Sequence, residues 1–279
     1  MLAPWSVCAD SVMWLRAALC SLALALVLAA CGDDPAPTPE LVATPSQDFP
    51  STFEKYGRLA EENPAGRESM VEEAVEALSV DIKRDPNNAD LYVKRGVAYA
   101  LKHYHSGGGG SDESLLEKPI EDFAKAIDLD PANVDAYIGR GETYDRWNQT
   151  DQANQDYDMA LQLLNRAIGL DSKDVDAYVD RASVYRIKEE YENAIRDYNV
   201  ALELDPDNPD IHYARARSYS LKGEYGKAIE DYDKAILLDP DHVHAYNNRA
   251  GMYRVIGELD KALQDYDKVM SLSPNFRWA

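Results

Sequence analysis

Five arginines recur at one place in a repeated phrase. Arg95, Arg140, Arg181, Arg215 and Arg249 each stand three residues after Tyr92, Tyr137, Tyr178, His212 or Tyr246. A guanidinium presents a planar fork of donors that fits a carboxylate through two hydrogen bonds. Two chemistries suit such a column. The forks could line a groove and grip acidic ligands, or each could close an ion pair with the acid that precedes a later tyrosine: Asp156, Asp197, Asp231 or Asp265. A column present in every copy of the phrase suits architecture better. The other reactive residues are sparse. His103 and His105 form a pair, as do His242 and His244, but a zinc site needs three or four ligands and no third lies nearby. Cys8, Cys20 and Cys31 all fall within the first 31 residues, so the rest of the chain has neither a disulfide framework nor a cysteine metal site. Acid pairs such as Asp156/Asp158 belong to the repeated phrase. There is no Ser/His or Cys/His pairing and no phosphate-cradling glycine loop. The reading is a non-enzyme with no catalytic residue, no cofactor and no metal.

The elements that position these residues follow from their spacing. Arg181, Arg215 and Arg249 are 34 residues apart. Around them the columns repeat: an aromatic, then the arginine three residues on, then Gly96, Gly141, Ala182, Ala216 or Ala250. Three further on comes Tyr99, Tyr144, Tyr185, Tyr219 or Tyr253. Offsets of three, four and seven put the aromatics and the small residue on one helical face. A second helix then carries Phe123, Tyr157, Tyr198, Tyr232 or Tyr266, and the small residue of the first helix lets it approach closely. Thirteen of the 18 tyrosines fall in these columns, which assigns Tyr137, Tyr144, Tyr157, Tyr178, Tyr185, Tyr198, Tyr219, Tyr232, Tyr246, Tyr253 and Tyr266 to the core. Asn88, Asn133, Asp174 and Asn208 sit where a helix N-cap belongs. Gly223 and Gly257 sit where a first helix must stop. Asp-Pro at Asp85, Asp130, Asp205 and Asp239 ends each second helix.

A 34-residue period marks stacked helical pairs. Ala228-Ile229-Glu230-Asp231-Tyr232-Asp233-Lys234-Ala235-Ile236, with Leu238-Asp239-Pro240 behind it, resembles the tetratricopeptide repeat family. The resemblance covers about residues 54–274, most closely from 89, and is specific for fold while almost silent on function. It implies an all-α, right-handed α-α superhelical solenoid of about five to six antiparallel helix pairs. It also implies a concave groove lined by the first helix of each pair. At the groove-facing offsets stand Ile138, Glu142, Asp145 and Arg146, then Val179, Ser183, Arg186 and Ile187. Tyr213, Arg217 and Leu221 follow, then Asn247, Asn248, Gly251 and Arg254. Arg146, Arg186, Arg217 and Arg254 read as a basic track in an acidic protein. With Tyr213, Asn247 and Asn248 they form the expected partner-binding groove, suited to an extended or acidic peptide. The family's carboxylate clamp for chaperone C-termini needs a lysine where Ile138, Val179 and Tyr213 stand, so that ligand is not expected.

The period breaks twice. Pro86 to Pro131 spans 45 residues, 11 more than the period, and the surplus falls between the two helices of that repeat, reading as a loop over 103–114 with Gly107 to Gly110. Tyr157 to Tyr178 spans 21 residues against 14 from Tyr198 to His212. That places a seven-residue insert, 161–167, in the second helix. Seven residues are almost two turns, adding about 10 Å with a phase drift of only about 20°, so the helix should lengthen without rotating its apolar face and protrude beyond its neighbours. Residues 54–88 read as a degenerate or capping repeat before the five repeats of 89–274, and 275–279 as a short tail. Phe276 and Trp278 either fold over an otherwise open end or leave that end to associate.

The chain has 279 residues and a net charge of −21, which excludes nucleic acid as a partner because phosphate binding needs a basic face. Met13-Trp14-Leu15-Arg16, an apolar run from Ala17 to Ala30 and small residues before Cys31 describe a secretory signal over 1–30, with Met13 as an alternative translation start. The ending Leu28-Ala29-Ala30-Cys31 resembles a bacterial lipoprotein lipobox, which implies lipidation of Cys31. Residues 31–53 carry Pro35, Pro37, Pro39, Pro45 and Pro50 and read as a tether, whose extended stretch 32–50 reaches roughly 60 Å. Together these describe a lipid-anchored adaptor in the bacterial cell envelope, with its repeats on the extracytoplasmic side and a protein or peptide ligand. The competing reading is an envelope assembly factor that self-associates into a homo-oligomer through its C-terminal end.

Overall fold

A computed structural model describes residues 67–105 and 114–273. The signal, Cys31, the tether, the glycine loop and the 275–279 tail lie outside the described residues. Eleven helices are described, and among these residues there is no strand. They are α1 (Arg67–Arg84), α2 (Ala89–His105), α3 (Ser114–Leu129), α4 (Val134–Arg146), α5 (Thr150–Leu170) and α6 (Val175–Ile187). Then come α7 (Tyr191–Leu204), α8 (Pro209–Lys222), α9 (Tyr225–Leu238), α10 (Val243–Ile256) and α11 (Leu259–Leu272). From α2 onward they pack as five consecutive pairs, each also resting on the next, and α1 packs on α2. First helices of neighbouring repeats also meet: α2 with α4, α6 with α8, and α8 with α10. Second helices make no comparable contact, so the first helices line the inner side of the curve. Contact between first helices is weakest from α4 to α6, across the long helix α5.

Local chemistry explains the boundaries. The side chains of Asn133 and Asp174 accept from the backbone N–H of Ala136 and Ala177 at 2.9 and 3.0 Å. Asn208 accepts from Asp210 and Ile211, and Asn88 from Asp90. At the equivalent place before α10 stands His242, whose Nδ1 accepts from Ala245 at 3.2 Å. That cap escaped the sequence reading because histidine is not among the preferred N-cap residues. Gly223 and Gly257 close α8 and α10 in the left-handed region at φ 85°. At the same place after α4 and α6 stand Asn148 (φ 55°) and Glu189 (φ 61°), conformations that cost a side chain energy.

The core is a line of second-helix aromatics. Phe123, Tyr157, Tyr198 and Tyr232 are all at most 2% exposed. Small residues make room for them: a Cβ added at Gly141 would lie 2.6 Å from the Tyr157 ring, and one at Gly139 2.6 Å from Phe123 of the preceding repeat. Tyr137 is buried, whereas Tyr144, Tyr178, Tyr185, Tyr219, Tyr246, Tyr253 and Tyr266 are half-buried.

The arginine column is architectural. In every repeat the guanidinium makes two parallel bonds to the aspartate before the second-helix aromatic: Arg95–Asp122, Arg140–Asp156, Arg181–Asp197, Arg215–Asp231 and Arg249–Asp265, all at 2.6–2.8 Å. The first-helix tyrosines flank these guanidiniums within cation–π range. The remaining amine reaches backward to the preceding second helix. Arg181 bonds Asn165, Arg215 bonds Asn199 and Arg249 bonds Asp233 at 2.6–2.7 Å, and Arg95 bonds Ser79 at 3.1 Å, always 16 residues upstream. For Arg140 that place is Ala124, which offers no side-chain acceptor.

Both inserts are more structured than their sequences suggest. The first is not simply a loop over 103–114: α2 continues through His105 and α3 begins at Ser114. Set against the regular repeat of α8 and α9, α2 is longer by three residues (17 − 14) and α3 by two (16 − 14). The second insert is a duplicated heptad. α5 has 21 residues where α7 and α9 have 14. Tyr157-Asp158-Met159-Ala160-Leu161-Gln162-Leu163 is followed by Leu164-Asn165-Arg166-Ala167-Ile168-Gly169-Leu170. The first copy serves the helix's own repeat: Tyr157 packs with Tyr137 and Ile138. The second serves the next repeat: Leu164, at 3% exposed, packs in the cluster with Ala177 and Val184, and Asn165 takes the Arg181 bond that Asn199 gives Arg215. The extra turns are therefore core on one side. They move the next repeat along the helix axis by about 10 Å, seven residues at 1.5 Å each. At the far end Leu170 is 82% exposed, against 37% for its counterparts Leu204 and Leu238.

Candidate functional site

The inner face runs along α2, α4, α6, α8 and α10. The hydroxyls of the buried second-helix tyrosines reach through the core to this face and meet the residues that line it. Tyr157 donates to Asp145 Oδ2 at 2.7 Å, and Glu142 and Arg146 stand beside it. One repeat on, the Tyr198 hydroxyl lies 3.1 Å from Ser183 Oγ and within hydrogen-bond reach of Arg186. In the repeat after that, Tyr232 meets Arg217 and Asn248 and also feels Arg186. Tyr213 closes this cluster. Its ring packs against Tyr232 (centroids 5.9 Å) and His242 (4.8 Å), Arg217 lies 5.9 Å from its centroid, and its hydroxyl accepts from Asn248 Nδ2 at 3.1 Å.

These tyrosines report the electrostatics of the face. Burial raises the pKa of all three phenols. At Tyr157 the Glu142 carboxylate and the bond to Asp145 push it further up, with Arg146 pulling the other way. At Tyr198 the positive charge of Arg186 opposes the rise, as does the Ser183 hydrogen bond. At Tyr232 Arg217, Asn248 and Arg186 oppose it. Arg217 is itself held below the usual arginine value by desolvation, with Tyr232 acting in the other direction.

The residues read as a basic track are thus placed differently from one another. Arg146 and Arg254 are exposed, Arg217 is half-buried and Arg186 is 8% exposed. Tyr213 is mostly buried, and Asn247 donates to Asn248 on the same helix. Arg146 shares its stretch of the face with Glu142 and Asp145, so the α4 end is not basic. The sequence reading named both acids among the groove positions but did not weigh them against the arginine. Among the described residues no group of three or more His, Cys, Asp or Glu side chains is arranged to hold a metal. Among them, too, no helix is long and apolar enough to cross a membrane.

The chain is an all-α solenoid of helical repeats. Family models for the tetratricopeptide repeat match residues 182–223, 209–242 and 231–264, so this stretch carries tetratricopeptide repeats. Solved structures of the same fold include a tetratricopeptide repeat protein from Parabacteroides merdae, 18% identical, covering 79% of this chain and 85% of that one at a TM-score of 0.54. A human IFIT1 dimer is 17% identical, covering 78% of this chain and 49% of that one at a TM-score of 0.55. MamA is 26% identical over 57% of this chain and 90% of that one, at a TM-score of 0.43. At their identities the likeness to the Parabacteroides merdae protein and to IFIT1 is one of fold. No curated protein sequence matches the chain.

Proposed function

We propose that this chain is a protein-interaction adaptor, held on a membrane of the bacterial envelope through lipidated Cys31, that takes an extended segment of a partner protein on its inner face. The observation that carries the binding reading is the division of labour among residues. The repeated arginines, aspartates and most tyrosines are consumed in holding the solenoid together. The residues that differ between repeats, Glu142, Ser183, Arg186, Arg217, Asn248 and Arg254, gather on the one face that curvature brings together. Solenoids present such faces for extended ligands. The anchoring reading rests on the signal and lipobox pattern ending at Cys31.

Two experiments test these parts separately. Photo-crosslinking from Asn247 or Arg254 in native membranes should trap a partner, whereas a partner trapped only from outer-face positions such as Glu203 or Lys234 sinks the inner-face reading. Cys31→Ser should release the chain from the membrane fraction; unchanged sedimentation with membranes removes the lipid anchor.

A second reading, self-association, is favoured by Leu259 and Leu263, 59% and 61% exposed on α11. A strict monomer in sedimentation equilibrium at high concentration removes it.

A further inference from the structure

The last described helix, α11, turns its packing face outward. In the repeats before it, that face is taken by the next first helix. Tyr198 and Leu202 of α7 pack with Ile211 and Ala214 of α8, and Tyr232 and Ala235 of α9 pack with Ala245 of α10. On α11 the same places hold Tyr266, Val269 and Met270. Met270 is 48% exposed where Leu202 is 8%, and Leu263 is 61% exposed where its counterpart Ile195 is 8%. A polar group stands in the same register. The column arginine of a following repeat bonds the residue after the second-helix tyrosine: Arg215 takes Asn199 and Arg249 takes Asp233. Asp267 is the equivalent residue of α11, it is exposed, and no column arginine follows it among the described residues.

The earlier junctions also state what a helix must carry to fit such a face. Four residues before the arginine stands Ala136, Ala177, Ile211 or Ala245, each buried in a cluster with the preceding second helix. Directly before the arginine stands Gly139, Ala214 or Asn248, and this residue meets the preceding aromatic. A Cβ at Gly139 would lie 2.6 Å from Phe123, Ala214 packs with Tyr198, and Asn248 bonds Tyr232. Only after α5, where Leu164 replaces the aromatic, does the place hold an acid, Asp180. Offsets of three and four put the apolar residue, the small one and the arginine on one helical face.

We infer that α11 is a docking face for a helix of a partner protein that reads Ala or Ile, two further residues, then Gly, Ala or Asn, then Arg. The arginine bonds Asp267, the small or amide residue lies over Tyr266, and the apolar residue covers Val269 and Met270. This inference is independent of the inner-face reading. It concerns the same end of the molecule as the self-association reading and assigns it a different occupant. In a second copy every described first helix is already held between two neighbouring helices, so none is on offer. A two-fold pairing of α11 with itself brings no arginine from that helix to Asp267, because α11 carries none. Burial of Leu263 and Met270 drives the docking. The arginine sets register more than strength, since Asp233 remains 51% exposed with its arginine bound.

The probe is a stapled peptide with the sequence of α10, Val243–Ile256, which carries Ala245, Asn248 and Arg249. It bears fluorescein and a photoreactive group at its ends. With the full chain in detergent micelles at about 0.1 M salt, it should bind and crosslink to α11. Arg249→Glu in the peptide should weaken binding about five-fold or more. Asp267→Arg in the chain, confirmed folded by circular dichroism, should weaken the unaltered peptide by a similar factor and restore the glutamate peptide. An apolar end that holds any helix would not exchange its preference in this way, so a folded Asp267→Arg chain with unchanged preference overturns the inference, as does a peptide that fails to bind. Crosslinks confined to first helices overturn it too and leave the inner-face reading standing. If the chain forms a dimer with which the peptide does not compete at α11, a second copy takes the face and the inference falls. If the peptide binds only after residues 275–279 are deleted, that segment is the occupant and the inference falls.

Discussion

Tyr157 and Tyr232 occupy the same place in two copies of the repeat. Both are buried and both send a hydroxyl to the inner face, but one meets two carboxylates and the other two guanidiniums. The repeat grammar is the same on both sides of α5: a bidentate Arg–Asp pair, flanking tyrosines and a small residue under the aromatic. What differs is the handful of first-helix residues that the grammar leaves unspecified. The comparison teaches that in this solenoid stability is written in the columns, and that the departures from them are what sets one stretch of the inner face apart from another. The lengthened helix α5 carries the first of these two tyrosines.

Removing residues 158–164 should have the largest effect. The deletion joins Tyr157 to Asn165, which reproduces the Tyr198-Asn199 register of α7, so the chain should fold while the stagger disappears. A partner trapped by crosslinking from Asn247 or Arg254 should then be lost or held more weakly. A folded deletant that traps the same partner as efficiently would show that the heptad has no part in binding.

Next come the arginine pairs. Arg181→Ala leaves Asp197 buried without its cation, a change in the range of about 3–5 kcal/mol, and also cuts the tie to Asn165. Arg140→Ala strands Asp156 but severs no such tie, so it should cost about 1 kcal/mol less. Equal urea midpoints for the two variants would refute the difference between the junctions.

Within α5 itself, Leu164→Ala should cost about 2–5 kcal/mol because the side chain is enclosed. Leu170→Ala at the exposed end should stay within about 0.5 kcal/mol. A costly Leu170→Ala in denaturant titration would mean that this end is covered in solution.

Acid should separate the two sides as well. Burial pushes Asp122 up, and the Arg95 bond does not fully offset it, so its carboxyl sits above the ordinary value. Burial also pushes Asp231 up, but Arg215 and His212 together hold it below that value. The stability contributed by Asp231 is complete above its unfolded pKa, about 3.9, and is lost as pH falls through the folded one. The contribution of Asp122 has the opposite sign: it is complete below the unfolded pKa and is lost as pH rises through the folded one. Pepsin applied between pH 5 and 2.5 should therefore nick α8 and α9 before α2 and α3. The reverse order would contradict these directions.

The smallest expected change is a gain. Glu189→Gly relieves a left-handed non-glycine residue where the next two repeats carry Gly223 and Gly257, and should stabilise by about 1 kcal/mol. A lowered melting temperature would mean that the Glu189 side chain makes up the backbone cost.

Much of this architecture was legible in the sequence because each repeat states it again. The 34-residue spacing, the N-caps at Asn133, Asp174 and Asn208 and the glycine stops are short-range signals with one physical meaning each. The Arg–Asp pairing was legible for the same reason, since a column shared by all copies must serve what all copies share. The length and phase of the α5 insert followed from helix geometry. That Leu164 and Asn165 stand to the next repeat as Tyr198 and Asn199 stand to theirs did not, because leucine in place of tyrosine hides the duplication. The continuation of α2 through His105 was hidden by the glycines that follow it. The candidate site was half legible. The offsets picked out the inner-face residues, but the sign of each stretch depends on which side chains converge on one tyrosine from two helices, and no linear spacing encodes that.

The missing tie at Ala124 bears on how the molecule comes apart. In a solenoid, cooperativity passes only between neighbours, so the statistical weight of a boundary between folded and unfolded repeats depends on the bonds at that junction. The other repeat junctions carry a hydrogen bond from the column arginine back to the preceding helix, but the junction between α3 and α4 lacks it. One such bond is worth about 1 kcal/mol, or about a five-fold change in population. Between junctions otherwise alike, that difference favours opening at this one, on heating or under a pull on the N-terminal side of the chain. Opening there would release α1 to α3 as one unit and leave α4 to α11 closed.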